Sequence, residues 1–304
     1  MMRLMTLRSC LFISVVAVGS LQAQDLEPRA YSISPVETNI AIVGYGRTSG
    51  GVIFDPTLPI EDVAASVNGL AIGYYRSMNF LGRSANVRAS APYAWGNMQG
   101  LLACQFAAIT RSGLADGRAQ FSVNLYGAPA MGIREFTQYR RKTNLSASIA
   151  LWIPWGQYDP NKLINIGTNR WAFKPELAVS RAFGKWIAEG YTGVWFFSSN
   201  MHFYPGNSIR SQHPLGVYQA HLVYNFRRGL WGALDGTYYH GGRTTVDGVT
   251  NQDLQGNSRF GMTVSLPLPK YQSLKVSYAR TASVRVGGKF ETLSIGYAFT
   301  WFDH

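Results

Sequence analysis

Long apolar runs are missing from this sequence outside its first two dozen residues. A membrane-spanning helix needs roughly 20 consecutive apolar residues, so the remainder of the chain excludes a helical membrane protein. Charge is scarce too. Asp, Glu, Lys and Arg make up 14% of 304 residues, against about a quarter in an ordinary soluble domain, which disfavours a soluble enzyme. Cysteine is limited to Cys10 and Cys104. Cys10 falls in the leader described below, and Cys104 alone makes neither an intrachain disulfide nor a cysteine metal site. Histidine is confined to His202, His213, His221, His240 and His304, with no pair at metal-ligand spacing. No metal and no cofactor are expected.

Acidic residues are outnumbered by basic ones, and the net charge is +12. Nucleic acid is not the implied partner. The basic residues are scattered singly, with runs only at Arg140-Arg141-Lys142 and Arg227-Arg228. The positive balance points instead to anionic lipid headgroups and to anionic or polarisable solutes.

The leader itself reads as a secretory signal. Arg3 and Arg8 supply a positive start, Leu11 to Val18 a short apolar stretch, and Ser20-Leu21-Gln22-Ala23 a cleavage site. Residues 1–23 are predicted to be removed and 24–304 to form one domain, exported to the envelope of a Gram-negative bacterium.

What the mature chain does have is aromatic residues, 13% of the total, 32 glycines, and alternation. In "RAQFSVNLYG" Ala119, Phe121, Val123 and Leu125 fall on one side of an extended chain, with Arg118, Gln120, Ser122 and Asn124 on the other. Period two is the mark of a strand with two unlike faces. Twelve such segments are predicted, at about 38–47, 67–77, 83–93, 118–126, 144–153, 171–180, 186–197, 215–226, 230–239, 257–266, 273–281 and 290–302. The connections at 78–82, 181–185, 227–229 and 267–272 are short. Those at 48–66, 94–117, 154–170, 198–214, 240–256 and 282–289 are mostly long and rich in turn residues. That is the pattern of short periplasmic turns and long outer loops. The connection at 127–143 breaks it, and reads as a short helix on the periplasmic rim or as a concealed strand.

Strands that cross a bilayer must close, because hydrocarbon offers no partner to free N–H and C=O groups. The expected fold is therefore all-β: a transmembrane antiparallel up-and-down β-barrel of about 12 strands with a periplasmic N-terminus. Trp95, Trp152, Trp155, Trp171, Trp186, Trp195, Trp231 and Trp301 lie near segment ends, where interface girdles of aromatic residues are expected.

Four longer stretches, "GYGRTSGGVIFDPTLPIED" (44–62), "FSVNLYGAPAM" (121–131), "GQYDPNKLINIGTNRWAFKPELAVSR" (156–181) and "GLWGALDGTYYHGGRTTVDGV" (229–249), resemble the outer-membrane protein family named for the MetA pathway of phenol degradation. The resemblance runs from about Asp25 to the C-terminus. It implies a transmembrane β-barrel of transporter or porin-like character for aromatic compounds, and carries over no catalytic residue.

Strand parity selects the side chains expected to line the lumen: Arg88, Lys174, Glu176, Glu189, Gln219, His221, Asp235, Arg259 and Lys275. Reflection through the tight turn near Arg228 sets His221 opposite Asp235. Reflection through loop 240–256 sets Asp235 near Arg259, within a slip of two residues. Such a row is either a solute-orienting ladder or a charge-neutralising filler. Loop 48–66 is apolar for an exposed loop, and Phe54, Leu58 and Ile60 are candidates for a constriction at the mouth. No hydrolase pattern of a barrel phospholipase or omptin-like protease is present, so no enzyme is expected. The function expected is passive uptake of small aromatic or hydrophobic molecules. The alternatives are a general anion-preferring porin, or a structural barrel with a plugged lumen.

Overall fold

The computed structural model describes residues 26–53, 60–102, 105–140 and 142–303. The predicted signal, Phe54, Leu58 and both cysteines lie outside them; Ile60 opens a strand. The strands are β1 (Thr38–Ile53), β2 (Ile60–Phe80), β3 (Arg83–Leu102), β4 (Gln105–Leu114), β5 (Gly117–Tyr126), β6 (Thr143–Ile153), β7 (Ala172–Phe183) and β8 (Trp186–Phe197). They continue as β9 (Asn200–Phe203), β10 (Ser208–Gln212), β11 (Leu215–Arg227), β12 (Leu230–Gly241), β13 (Thr244–Val246), β14 (Val249–Thr250), β15 (Gln255–Leu268), β16 (Gln272–Ser283) and β17 (Gly287–Phe302).

The large sheet is antiparallel throughout and closes on itself. β1 pairs β17 from Thr38↔Phe302 to Ile53↔Gly287, and β2 pairs both β1 and β3. β4 and β5 both run antiparallel to β3, β4 along its outer half and β5 along its inner half. They act as one stave, interrupted at Ala115-Asp116. The result is a closed barrel of twelve staves.

Two expected outer loops are corrected. Much of 48–66 and 94–117 is strand: β1 to β2 and β3 to β4 continue as paired ladders well past the predicted ends. Gly, Ser and Ala fill these stretches and hid their period. With about 9–11 residues sufficient to cross a bilayer, the 21 residues of β2 and 20 of β3 carry this side of the wall beyond the membrane. Loops 198–214 and 240–256 also contain strands, β9, β10, β13 and β14, which form a separate small sheet at the outer end.

At the opposite end the turns are tight. Leu81-Gly82 joins β2 to β3 with φ of 50° and 78°, the twist a two-residue hairpin requires. The irregular 127–142 connection holds the helix α1 (Ile133–Gln138), on which no residue is buried. The rim-helix reading of that segment is the one found.

Alternation sorts the wall into two faces. Leu70, Ile72, Leu177, Val179, Leu234, Met262, Leu293 and Ile295 face outward and are exposed. Aromatic pairs band this outer face near its two ends: Trp186 with Tyr224 and Tyr74 with Trp301 at the turn end, Phe173 with Phe196 and Tyr45 with Trp95 at the loop end. Trp152, Trp195 and Trp231 do not belong to the girdles. They share parity with inward residues of their strands, and Trp195 is 4% exposed.

The N-terminal segment is a second correction. Residues 26–37 do not trail into the periplasm but fold back into the barrel. Val36 N–H donates to Met131 O, Glu37 N–H to Ser77 O, and Ser77 Oγ to Pro35 O at the turn end. From there the segment rises to bury Tyr31 against Ala178 and Tyr191.

Candidate functional site

The interior has one smooth wall and one furnished wall. At mid-height on β1, β2 and β17 the inward positions are small. Gly44 is register partner of Gly296 and Ala71, and Gly46 of Gly69 and Ser294. Most of the large inward polar and aromatic side chains stand opposite, on β5 to β15, and a Cβ added at Gly296 would meet nothing within 4 Å.

The furnished wall is layered. Lowest is an apolar floor of Ile187, Val223 and Ala233, with Trp231 packed on it. The guanidinium of Arg29 lies over the Trp231 ring at 5.2 Å.

Above comes a polar belt that grips the N-terminal segment. Arg29 N–H donates to Glu189 Oε2 at 2.7 Å, and Tyr191 O–H donates to the same oxygen at 2.7 Å. Tyr31 O–H reaches Glu176 Oε1 at 2.6 Å and lies 2.7 Å from Ser148 Oγ. Arg88 donates to Ala30 O, pairs with Glu27 at 3.4 Å and overlies Tyr75 at 5.7 Å. Tyr75 O–H donates to Ser34 Oγ at 3.0 Å. Lys174, 2% exposed, bonds Glu176 Oε2 at 2.6 Å. A cation so deeply enclosed would be costly without that carboxylate. Gln219 joins Glu27, Arg118, Lys174 and Glu176 around a small cavity in this belt.

His221, Asp235 and Thr263 form the adjoining group. His221 and Asp235 are register partners, 2.7 Å apart from Nδ1 to Oδ1. Asp235 Oδ2 accepts from Thr263 Oγ1 at 2.9 Å. The expected third member is displaced: Asp235 faces Gly261, while Arg259 faces Thr237 and donates to Thr292 Oγ1 at 3.3 Å. Reflection through the middle of loop 240–256 lands on Gly261, the partner found, so Arg259 stands two residues along the same face of β15, within the slip allowed. Lys275 sits between Ser265 and Gly296 on the far side.

The top layer is aromatic. Trp195, Leu215, Val217 and Tyr239 are buried in one inward-facing cluster with Trp152 and Phe197 against it. Trp152 and Trp195 meet edge to face at 4.2 Å. Cations overlie this layer: Arg118 on Trp152 at 5.0 Å and Lys174 on Trp195 at 5.3 Å. Aromatic side chains facing inward from alternate positions would have been legible in the sequence, had those tryptophans not been assigned to girdles.

Over the mouth, loop 154–171 is pinned by Asp116. Its Oδ1 accepts from Gly156 N–H at 3.0 Å, and its Oδ2 from Thr168 N–H at 2.9 Å and Thr168 Oγ1 at 2.5 Å. The Trp155 ring occupies the place a side chain would take at Gly117, 2.0 Å from where a Cβ would stand. Arg170, at the end of this loop, overlies Phe197 at 4.4 Å, and Arg210 of β10 overlies Phe203 at 5.3 Å. Burial first, then repulsion from Arg210, pushes the Arg170 guanidinium below its ordinary value. Burial likewise lowers Arg210, with Asp253 and Tyr158 opposing. A guanidinium stays protonated at physiological pH, so these are destabilised cations. Neither arginine stood out in the sequence, where each is a lone basic residue in a loop.

Among the described residues, no His, Cys, Asp or Glu cluster could hold a metal. Comparison with solved structures finds the COG4313 outer membrane channel from Pseudomonas putida F1, with 19% identity, a TM-score of 0.76, and coverage of 91% of this chain and 100% of that one. The beta domain of the Bordetella autotransporter BrkA aligns with 14% identity and a TM-score of 0.50, covering 87% and 100%. At these identities the likeness is one of fold. No curated protein matches the sequence. Residues 60–299 match the family described as "Putative MetA-pathway of phenol degradation", and the chain belongs to that family of outer-membrane β-barrel proteins.

Proposed function

We propose that the chain is a passive outer-membrane channel for small aromatic or hydrophobic molecules, closed at rest by its own N-terminal segment. The observation that carries this reading is the buried aromatic layer of Trp152, Trp195, Phe197 and Tyr239 on the inward face. A barrel interior is ordinarily polar. An apolar, π-rich patch inside one offers desolvation and stacking to a flat organic solute. The glycine wall opposite supplies room for passage, and the belt around Tyr31 and Arg29 supplies the closure.

The test is uptake of radiolabelled phenol and benzoate in cells with and without the protein, beside conductance of the purified protein in planar bilayers. Slower uptake on deletion, with silence or brief openings in bilayers, supports the reading. Unchanged uptake overturns it.

A second reading, an anion-preferring pore, is favoured by the cations Arg88, Arg118, Lys174, Arg259 and Lys275 on inward positions, which outnumber the carboxylates Glu27, Glu176, Glu189 and Asp235 of the same interior. Steady conductance with a reversal potential on the anion side would favour it. Silence of both the full chain and a variant lacking residues 26–37, with unchanged uptake, would leave a structural barrel.

A further inference from the structure

Among the described residues, two buried guanidiniums at the outer mouth have no ion-pair partner. Arg210 is 7% exposed, and its Nε has no partner; Nη1 of Arg170 is also buried and unpartnered. The two are neighbours. Arg210 and Gln212 share a face of β10, and Gln212 Oε1 accepts from Arg170 Nη2 at 2.5 Å. The nearby carboxylates are committed elsewhere. Asp116 caps Gly156 and Thr168, and both oxygens of Asp253 are taken by Thr244, at 2.8 Å from its N–H and 2.5 Å from its Oγ1. Among the described residues no carboxylate lies within 4 Å of Arg170 or Arg210.

A buried cation with idle N–H groups is expensive unless an anion completes it. Directly beneath lies the aromatic layer, for Phe197, under Arg170, packs on the cluster of Trp195 and Tyr239. We propose that Arg170 and Arg210 form an anion site that takes the carboxylate of a small aromatic acid while its ring rests on the aromatic layer. This rests on the channel reading and narrows its substrate class to aromatic carboxylates. The fork of a guanidinium matches a carboxylate in two parallel hydrogen bonds, which a phenol hydroxyl does not match.

Calorimetric titration of the detergent-purified full-length protein tests it with three probes: benzoate, its neutral isostere benzamide, and acetate. Charge-assisted hydrogen bonds make benzoate bind at least about tenfold tighter than benzamide, and tighter than acetate, which has no ring. Arg170→Gln and Arg210→Gln each lower benzoate affinity about tenfold and leave benzamide unchanged. Arg210→Lys, which keeps the charge and loses the fork, falls between. Equal binding of benzoate and benzamide, or benzoate binding that survives the double Gln variant, overturns the site. Acetate binding as well as benzoate overturns the aromatic assignment. If a Gln variant fails to fold, judged by heat-modifiable mobility on gels, Arg210→Lys and the probe ratios on the unaltered protein decide. Liposome flux separates the two ideas. No flux of either aromatic probe, with benzoate binding intact, refutes the channel and leaves the anion site standing.

Discussion

The hydroxyl of Tyr31 donates to Glu176 at 2.6 Å, so a residue of the N-terminal segment closes against a strand side chain inside the lumen. The bond joins parts of the chain 145 residues apart, and the Tyr31 ring meets Tyr191 edge to face at 5.0 Å. Together with Arg29 on Glu189, it holds the segment inside the lumen.

Tyr31→Phe keeps the ring contact and removes the hydroxyl. A hydrogen bond to a charged group contributes about 1.5–3 kcal/mol, so a closed state held by it loses roughly tenfold or more of its population advantage. In planar bilayers the expected outcome is a rise in open probability, larger still when residues 26–37 are deleted. Equal silence of all three proteins would show that the segment is not the closure.

Asp235→Asn tests the His221 group. The Asp235 side chain is 1% exposed, and its oxygens serve His221 Nδ1 and Thr263 Oγ1. Thr263 and His221 can each turn to accept from the amide, but the charge-assisted bonds of the carboxylate are then replaced by neutral ones, at a cost of about 1–3 kcal/mol. The heat-modifiable transition on gels should fall by several degrees, with a wild-type span of strands by infrared spectroscopy. An unchanged transition would mean that neutral hydrogen bonds serve there as well as the carboxylate.

Most of the barrel was legible because alternation survives wherever one face meets lipid. Leu274, Val276 and Tyr278 against Ser273, Lys275 and Ser277 sort themselves by parity alone. It failed where both faces are small or wet, as at Gly50, Gly51, Ala64 and Ala65, which hid the tall hairpins. His221 and Asp235 could be matched across two turn residues, since a tight turn fixes register. Across the long loop reflection lands on Gly261, so Arg259, the charged residue two positions away on the same face, pairs with Thr237 instead. Nothing in the pattern of residues 26–37 announced that they turn inward. Their place is set by long-range partners, Glu176, Glu189 and Arg88, that parity cannot connect to them.

Neighbouring residues on β2 test the two faces directly. Ile72 is outward and 60% exposed, while Ala71 faces the glycine wall beside Gly44. Ile72→Arg places a charge in lipid and is expected to cost about 2–4 kcal/mol near the bilayer midplane. Ala71→Arg stays in the hydrated interior, folds normally and narrows the passage. Urea unfolding in liposomes should separate them clearly. Equal destabilisation would contradict the assignment of faces.

Trp195→Ala addresses the aromatic layer. The ring is 4% exposed and packs on Trp152 at 4.2 Å, so its loss removes both a stacking surface and a bulky side chain. If the layer binds the solute, uptake of labelled benzoate falls several-fold although the bore is wider. Faster uptake would mean that Trp195 only obstructs the passage.

Asp116 is the clasp between the barrel and its outer loop, and Asp116→Ala should release the loop without touching the wall. Three hydrogen bonds to Gly156 and Thr168 end on this one carboxylate. Each contributes about 0.5–1.5 kcal/mol, and more where the acceptor is charged. Trp155 against Gly117, with its Nε1 donating to Ala115 O at 3.1 Å, provides a weaker second hold. Residues 154–171 should then open locally while the strands stay paired, since local opening need not involve the sheet. The readout is trypsin cleavage after Lys162 in intact cells, expected to quicken about tenfold, in line with a loss of roughly 1.4 kcal/mol or more. Cleavage at the original rate would place the restraint of the loop in Trp155 and the Gln157 N–H bond to Leu114 O, and Trp155→Ala would then show the faster cut.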